Sequence, residues 1–222
     1  MTGSIEEYIL AHIDDEPELL REMQREAHVM LLHPAMVSGH LQGRLLKMLV
    51  QMIRPGRVLE IGTYTGYSAL SIAEGLENDA ELHTIEIDEE MEDMICHNLS
   101  RSPFGKRITL HIGDAVEIIP CFGDEYFDMV FIDANKREYW SVYESTLPKI
   151  KEGGFLLADN TLWHGKVLEE SESNDWQTKG IKEFNDKLAG DDRVEKVILP
   201  LRDGLTLIRK KSKGWIRTDN RK

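Results

Sequence analysis

The apolar positions change period near residue 56. Before it, Leu41, Leu45, Leu46, Leu49 and Ile53 recur at helical spacing, and Pro55-Gly56 ends a helix expected over 38–53. Two further helices are predicted upstream, over 5–12 and 17–32. Ser4, with Glu7 three residues on, has the pattern of a capping box for the first, and the second stops before Pro34. After residue 56 short apolar runs take over: RVLEIG (57–62), LHTIEI (82–87), RITLHIG (107–113), FDMVFID (127–133), GGFLLAD (153–159), VEKVILP (194–200) and GLTLIRK (204–210). Helical stretches over 67–76, 88–99, 115–119, 137–147 and 176–189 separate all but the last pair of strands.

Strand and helix in alternation predict an α/β fold with a mostly parallel sheet and helices on both faces. The strand cores are continuous apolar runs, as a sheet covered on both sides requires. The last two strands are joined by Leu201-Arg202-Asp203. That link is too short for a crossover, so the final strand is expected to be antiparallel to its neighbour. No repeat or linker splits the chain. One domain is expected over 1–222, with helices in 1–54, a sheet core in 57–210 and a basic tail in 211–222.

The net charge of −13 disfavours general binding to a phosphate backbone. The final RKKSKGWIRTDNRK runs against it with seven Lys or Arg, a solvated end or a local contact for an anionic partner. Cys96 and Cys121 have neither zinc spacing nor the number for a disulfide scaffold, and are expected as buried free thiols. The start carries acidic residues and no signal-like apolar run, and no stretch is long enough to span a membrane. A cytoplasmic protein without a membrane partner is the default.

Chemistry concentrates at strand ends. VLEIGTYTGYSAL reads E-x-G-x-x-x-G from strand into helix. Gly62 permits a tight turn, and Gly66 a close approach at the helix start. Thr63 and Tyr64 occupy positions that a pyrophosphate needs as bare backbone, so the turn suits a less anionic cofactor. Glu60 places an acceptor suited to an amino group at this edge. Glu86, closing the second strand, has the position of an acidic residue that takes ribose hydroxyls. Together they point to a nucleoside-bearing cofactor. Asp114 and Ala115 follow the third strand, where they border an adenine or, equally, cap a helix.

Asp133 ends the fourth strand and Asp159 the fifth, with Asn160 beside it. Neighbouring strands lie about 4.8 Å apart, so the three would gather as an all-oxygen site for a hard cation such as Mg²⁺. The structural alternative is a helix cap at Asp133 and a turn at Asp159-Asn160. Lys136 lies three residues past Asp133, placed to take or hold the proton of a metal-bound hydroxyl. Trp163 and His164 follow the metal pair, placed to wall a flat aromatic substrate, with His164 as an alternative base.

These residues resemble the cation-dependent O-methyltransferases that use S-adenosylmethionine (SAM), the caffeoyl-CoA O-methyltransferase branch most and catechol O-methyltransferase more distantly. The marks are VLEIGTYTGYSAL, LHTIEID, FIDANKREY, LLADNTLWHGKV and RDGLTLIRK, within residues 30–210. The resemblance implies a Rossmann-like seven-stranded methyltransferase sheet with its last strand antiparallel. It implies that Glu60, Gly62 and Ser68 hold the methionine part of SAM, with Met36 and Ser38 where the N-terminal helices close over it. Glu86 would take the ribose, and Asp114 and Ala115 would lie at the adenine. Asp133, also near the cofactor, would hold the divalent cation with Asp159 and Asn160; Mg²⁺ is expected, with Mn²⁺ or Ca²⁺ as alternatives. Lys136 and Asp133 would be catalytic, the acceptor a small aromatic hydroxyl compound, and the assembly a homodimer. Asn135 replaces the aspartate usual in plant members, and His164 their asparagine. For the group that grips the second hydroxyl in the catechol enzyme, the region offers Glu183 or Asn185. Two other readings stand beside this one: a tRNA hydroxyuridine O-methyltransferase, with the basic tail and Lys47, Arg54 and Arg57 as local basic contacts, and a non-catalytic cofactor-binding protein.

Overall fold

The structure, a computed structural model, describes residues 4–170, 174–212 and 214. Most of the basic tail lies outside the described residues. The chain divides into two compact units, residues 1–115 and 116–222.

The first unit opens with three helices, α1 (Ile5–Leu10), α2 (Glu18–Met30) and α3 (Gly39–Ile53). The capping box forms at α1: the Ser4 hydroxyl accepts from Glu7 N, and Glu7 accepts from Ser4 N at 2.7 Å. Then come β1 (Arg57–Ile61), α4 (Tyr67–Gly75), β2 (Glu81–Glu86), α5 (Glu92–Ser100), β3 (Ile108–Ile112) and a single turn, α6 (Ala115–Ile118), that crosses into the second unit. The strands run parallel in the order β3-β2-β1.

One expectation is refined here and one fails. The buried seam of α3 is Gln42, Gly43, Arg44, Leu46 and Val50, so Leu46 of the predicted apolar face is fully buried and Leu41, Leu45, Leu49 and Ile53 are half-buried beside it. The cause is close packing on α4. A Cβ at Gly43 would stand 2.8 Å from Ser71 Oγ, and one at Gly75 2.6 Å from Lys47 O. Backbone proximity at two glycines sets the helix rotation, and Arg44 is buried by its pairing to Glu74. Cys96 and Cys121 are exposed rather than buried. Helix α5 turns Ile95, Asn98 and Leu99 inward, which leaves Cys96 on the outer face. Cys121 closes a 3₁₀ turn, with its thiol directed at Glu117 O.

The second unit holds β4 (Phe127–Ile132), α7 (Tyr139–Thr146), β5 (Ile150–Asp159), α8 (Trp176–Ala189), β6 (Val194–Leu199) and β7 (Leu205–Lys210), with strand order β4-β5-β7-β6. β4 and β5 are parallel, and β7 runs antiparallel to both β5 and β6, as the short link requires. β5 begins three residues earlier than predicted. Gly153, at φ 77°, and Gly154, whose Cβ would stand 2.9 Å from Asp128 O, absorb a register shift against β4 instead of ending the strand. Among the described residues no helix is long and apolar enough to cross a membrane.

Candidate active site

In the first unit β1, β2 and β3 end level. Gly62 N donates to Ile85 O at 2.9 Å, and Gly113 N to Glu86 O at 2.8 Å. Gly62 has φ 98°, a conformation other residues adopt only with strain. Gly66, at φ 84°, is needed for the same reason and not for close approach, since a Cβ there would meet ordinary contacts from 3.5 Å outward.

Glu60 is wholly buried. Thr63 Oγ1 and Thr84 Oγ1 are 2.6 Å apart, and Thr84 donates onward to Glu60 Oε2 at 2.5 Å. Thr63 therefore supplies the proton of the first bond, and the chain of hydroxyls orients the carboxylate. Glu86 does more than face a ligand: it holds the glycine turn. Its Oε2 accepts from Thr63 N at 3.1 Å and Tyr64 N at 2.7 Å, and its Oε1 from Asp88 N at 3.0 Å. A carboxylate offers about four acceptor positions, so about one is left for a sugar hydroxyl.

The N-terminal helices pack on this turn. Leu20, Met23 and Ala27 of α2, with Val37, share a core with Tyr67, Leu70, Ile95 and Leu99. Arg101 pairs with Glu22 and Glu26 across the same boundary. Tyr64 OH donates to His33 O at 3.1 Å, which ties the glycine turn to the segment bearing Met36 and Ser38. Burial, and after it the Glu86 charge, raises the Tyr64 phenol, so it stays a donor. Ser38 and Ser68 are buried and Met36 is exposed; Ala115 is buried at the start of α6, and Asp114 beside it is exposed.

In the second unit Ile132 pairs with Ala158 across β4 and β5, so Asp133 and Asp159, one residue on, leave the sheet at the same level. Asp159 is 3% exposed and pairs with Leu205 of β7. Asn160 follows at φ 55°. The next residue, Thr161, is buried and clamped: its N donates to Gly204 O at 3.0 Å, its hydroxyl accepts from Thr206, and its carbonyl accepts from Asn185 Nδ2 at 2.8 Å. Asp133, Asp159 and Asn160 offer oxygen only, the donor chemistry of a hard divalent cation. Among the described residues no three His, Cys, Asp or Glu side chains form a metal-holding group, and this trio would supply two carboxylates and one amide.

Lys136 is 6% exposed. Its Nζ donates to Asp133 Oδ1 at 2.7 Å and to Tyr139 OH at 2.8 Å, and lies 4.7 Å from the Tyr139 ring centre. Tyr139 was not singled out from the sequence, where it looks like one more apolar position of a helix. Burial first, and then the charges of Asp133, Asp159 and Asp203, raise its phenol well above the usual range. Gln177, at the start of α8, accepts from Lys136 N at 3.0 Å.

Trp163 is partly buried, and among the described residues its Nε1 finds no acceptor. His164 points largely to solvent; its backbone N donates to Asp203 and its Nε2 lies 3.5 Å from that carboxylate. Asn135 is exposed and accepts from Arg137 N in its own turn. Of the two residues offered by α8, Glu183 pairs with Lys187 at the surface, whereas Asn185 reaches the Thr161 turn.

A family profile described as O-methyltransferase matches residues 11–211. Caffeoyl-CoA O-methyltransferase of Petroselinum crispum is 31% identical over 207 residues, 88% of this chain and 85% of that protein. Caffeoyl-CoA O-methyltransferase 1 of Zea mays is 32% identical over 209 residues, 88% and 79% of the two. Among solved structures, the O-methyltransferase TomG of Streptomyces achromogenes, in complex with SAM, superposes with a TM-score of 0.85 at 28% identity, over 94% of this chain and 96% of that one. The SAH-bound methyltransferase of Podospora anserina gives the same score and identity over 94% of both. The fold of this chain is accordingly the seven-stranded methyltransferase sheet with an antiparallel last strand.

Proposed function

The chain belongs to the O-methyltransferase family and is a SAM-dependent enzyme of the caffeoyl-CoA O-methyltransferase type, and from that premise we propose that it methylates a hydroxyl of a catechol-like or caffeoyl-type small molecule with the help of a divalent cation. The observation that carries this reading is the level exit of Asp133 and Asp159 from adjacent parallel strands, with Asn160 next in the chain and Lys136 bonded to Asp133.

Asp133, Asp159 and Asn160 would hold the cation, Mg²⁺ by donor chemistry. When bound, a cation of this kind acidifies a coordinated hydroxyl. Glu60, Ser68, Met36 and Ser38 would border the methionine part of SAM, Glu86 the ribose, and Asp114 and Ala115 the adenine. Lys136 sits where it can take the acceptor proton or hold the oxyanion that results. Trp163 offers a flat wall for a ring, and His164, mostly in solvent, is less suited to act as base than the buried Lys136. Methyl transfer forms the bond from the oxyanion to the methyl carbon as the carbon–sulfur bond breaks, the electron pair stays on sulfur in the neutral thioether SAH, and both charges vanish. The protein therefore has to hold two partners in line more than supply charge of its own.

The tRNA reading weakens on one observation. Three of its basic contacts, Lys47, Arg54 and Arg57, lie against Glu74, Glu77 and Glu81, while most of the basic tail, the fourth, lies outside the described residues.

Asp159→Ala tests the metal assignment. Turnover in Mg²⁺ should fall to the level seen in chelator, while SAH binding by calorimetry stays at the wild-type value. Equal loss of both would remove Asp159 from the metal and return it to the fold.

A further inference from the structure

We infer that Tyr139 is a positioning residue that fixes the Lys136 amino group for its role at the acceptor hydroxyl; this rests on the reading of Lys136 given above. The inference starts from hydrogen-bond direction. Tyr139 has one O–H, and its oxygen lies 2.9 Å from Asp159 O and 3.3 Å from Ile132 O. Both are carbonyl acceptors, so the phenol proton goes to one of them, the nearer being Asp159 O. The phenol oxygen can then only accept from Lys136 Nζ, at 2.8 Å. The bonds therefore run one way, from lysine to phenol to the backbone of Asp159.

This polarity commits the lysine. A lysine nitrogen has three positions besides its carbon. One is spent on Asp133 Oδ1 at 2.7 Å and one on Tyr139 OH, and the aromatic face supports the nitrogen from 4.7 Å. A single position remains, and tetrahedral geometry fixes its direction once the other two are set. The backbone of Lys136 is held as well. Gln177 accepts from its N–H, and α8 packs so closely that a Cβ at Gly180 would stand 2.4 Å from Lys136 O. Without the phenol oxygen, Nζ would keep only the Asp133 bond and could turn about it. Tyr139 also joins the Lys136 segment to the residue before Asn160, so one side chain spans both strand ends that carry the proposed chemistry.

Tyr139→Phe keeps the ring, which is wholly buried, and removes only the oxygen. Phe184→Leu is the packing control, since Phe184 meets the Tyr139 ring edge-on at 5.4 Å but not its hydroxyl. Each is made in the wild-type and Lys136→Ala backgrounds, and transfer from tritiated SAM to catechol is followed with Mg²⁺. The SAH-induced rise in melting temperature reports that each variant is folded with an intact cofactor site. Tyr139→Phe should lower kcat by ~10-fold with KM unchanged when Lys136 is present, and by less than ~2-fold when it is absent, the mark of a residue acting through another. Phe184→Leu should change kcat by the same factor in both backgrounds. An equal loss from Tyr139→Phe in both backgrounds, or no loss in either, would overturn the inference and leave Tyr139 a core residue. A Lys136→Ala enzyme as fast as the wild type would instead overturn the reading of Lys136 on which the inference stands; the account expects that variant to be slower by roughly 10²-fold.

Discussion

Asp191 shows how one residue of this protein trades burial against hydrogen bonding. Burial alone would raise its carboxyl, but bonds from the Arg193 side chain, the Tyr143 hydroxyl and the Arg193 backbone outweigh it and hold the group at about 2, below the ordinary 3.8. The same contact raises the Tyr143 phenol, after burial. A carboxylate depressed in the folded state contributes stability above its unfolded value and loses it as pH falls toward its folded value. The window here is pH 3.8 down to about 2, and the contribution is on the order of 2 kcal/mol. Urea unfolding at pH 5 and pH 3 should show the wild type losing more stability than Asp191→Asn; identical losses would mean that the charge is not felt by the fold. Residues of this kind are hard to read in sequence. Asp191 and Tyr139 have near partners in Arg193 and Lys136, but each also needs one far along the chain, Tyr143 at 48 positions and Asp159 at 20, and Gln177 meets Lys136 from 41 positions away. Asp133, Asp159 and Lys136 were legible because a polar group closing an apolar strand already stands out from its neighbours.

Among elements, strands were read better than helix faces. A strand buried on both sides needs only a continuous apolar run, which composition reveals directly. A helix face is decided by what the helix meets, and α3 meets α4 through Gly43 and Gly75, the residues that carry no hydrophobic signal. Leucine spacing therefore marked the helix and one side of its buried seam, and left the glycine side unmarked. Gly75→Ala tests that cause, because its Cβ would stand 2.6 Å from a backbone oxygen that cannot rotate away. The variant should be destabilised by about 1–3 kcal/mol, the range for overpacking, seen as a lower denaturant midpoint with an unchanged slope. A neutral result would show that the helices separate freely. The start of β5 failed for a related reason: Gly153-Gly154 looks like a turn in sequence, and in the fold it accommodates a shift of register.

At the scale of the whole molecule, the alternation of strand and helix after residue 56 carried the α/β fold, and the likeness over 94% of the chain supplies the seven-stranded methyltransferase sheet. The net charge of −13, with Lys47 and Arg57 paired to glutamates, disfavours a nucleic acid as the acceptor. A homodimer is the assembly we propose from the family resemblance, and light scattering at twice the chain mass would check it. The acceptor itself was not legible, since no residue type in the N-terminal helices specifies a ring or a side chain of the substrate.

The most direct test of the account is methyl transfer from tritiated SAM to catechol, to a caffeoyl ester and to unmodified tRNA, each with Mg²⁺ and with chelator. The account predicts transfer to one or both small hydroxyl compounds that stops with chelator and returns when Mg²⁺ is restored. Transfer that is indifferent to chelator, or that occurs only on tRNA, would contradict it.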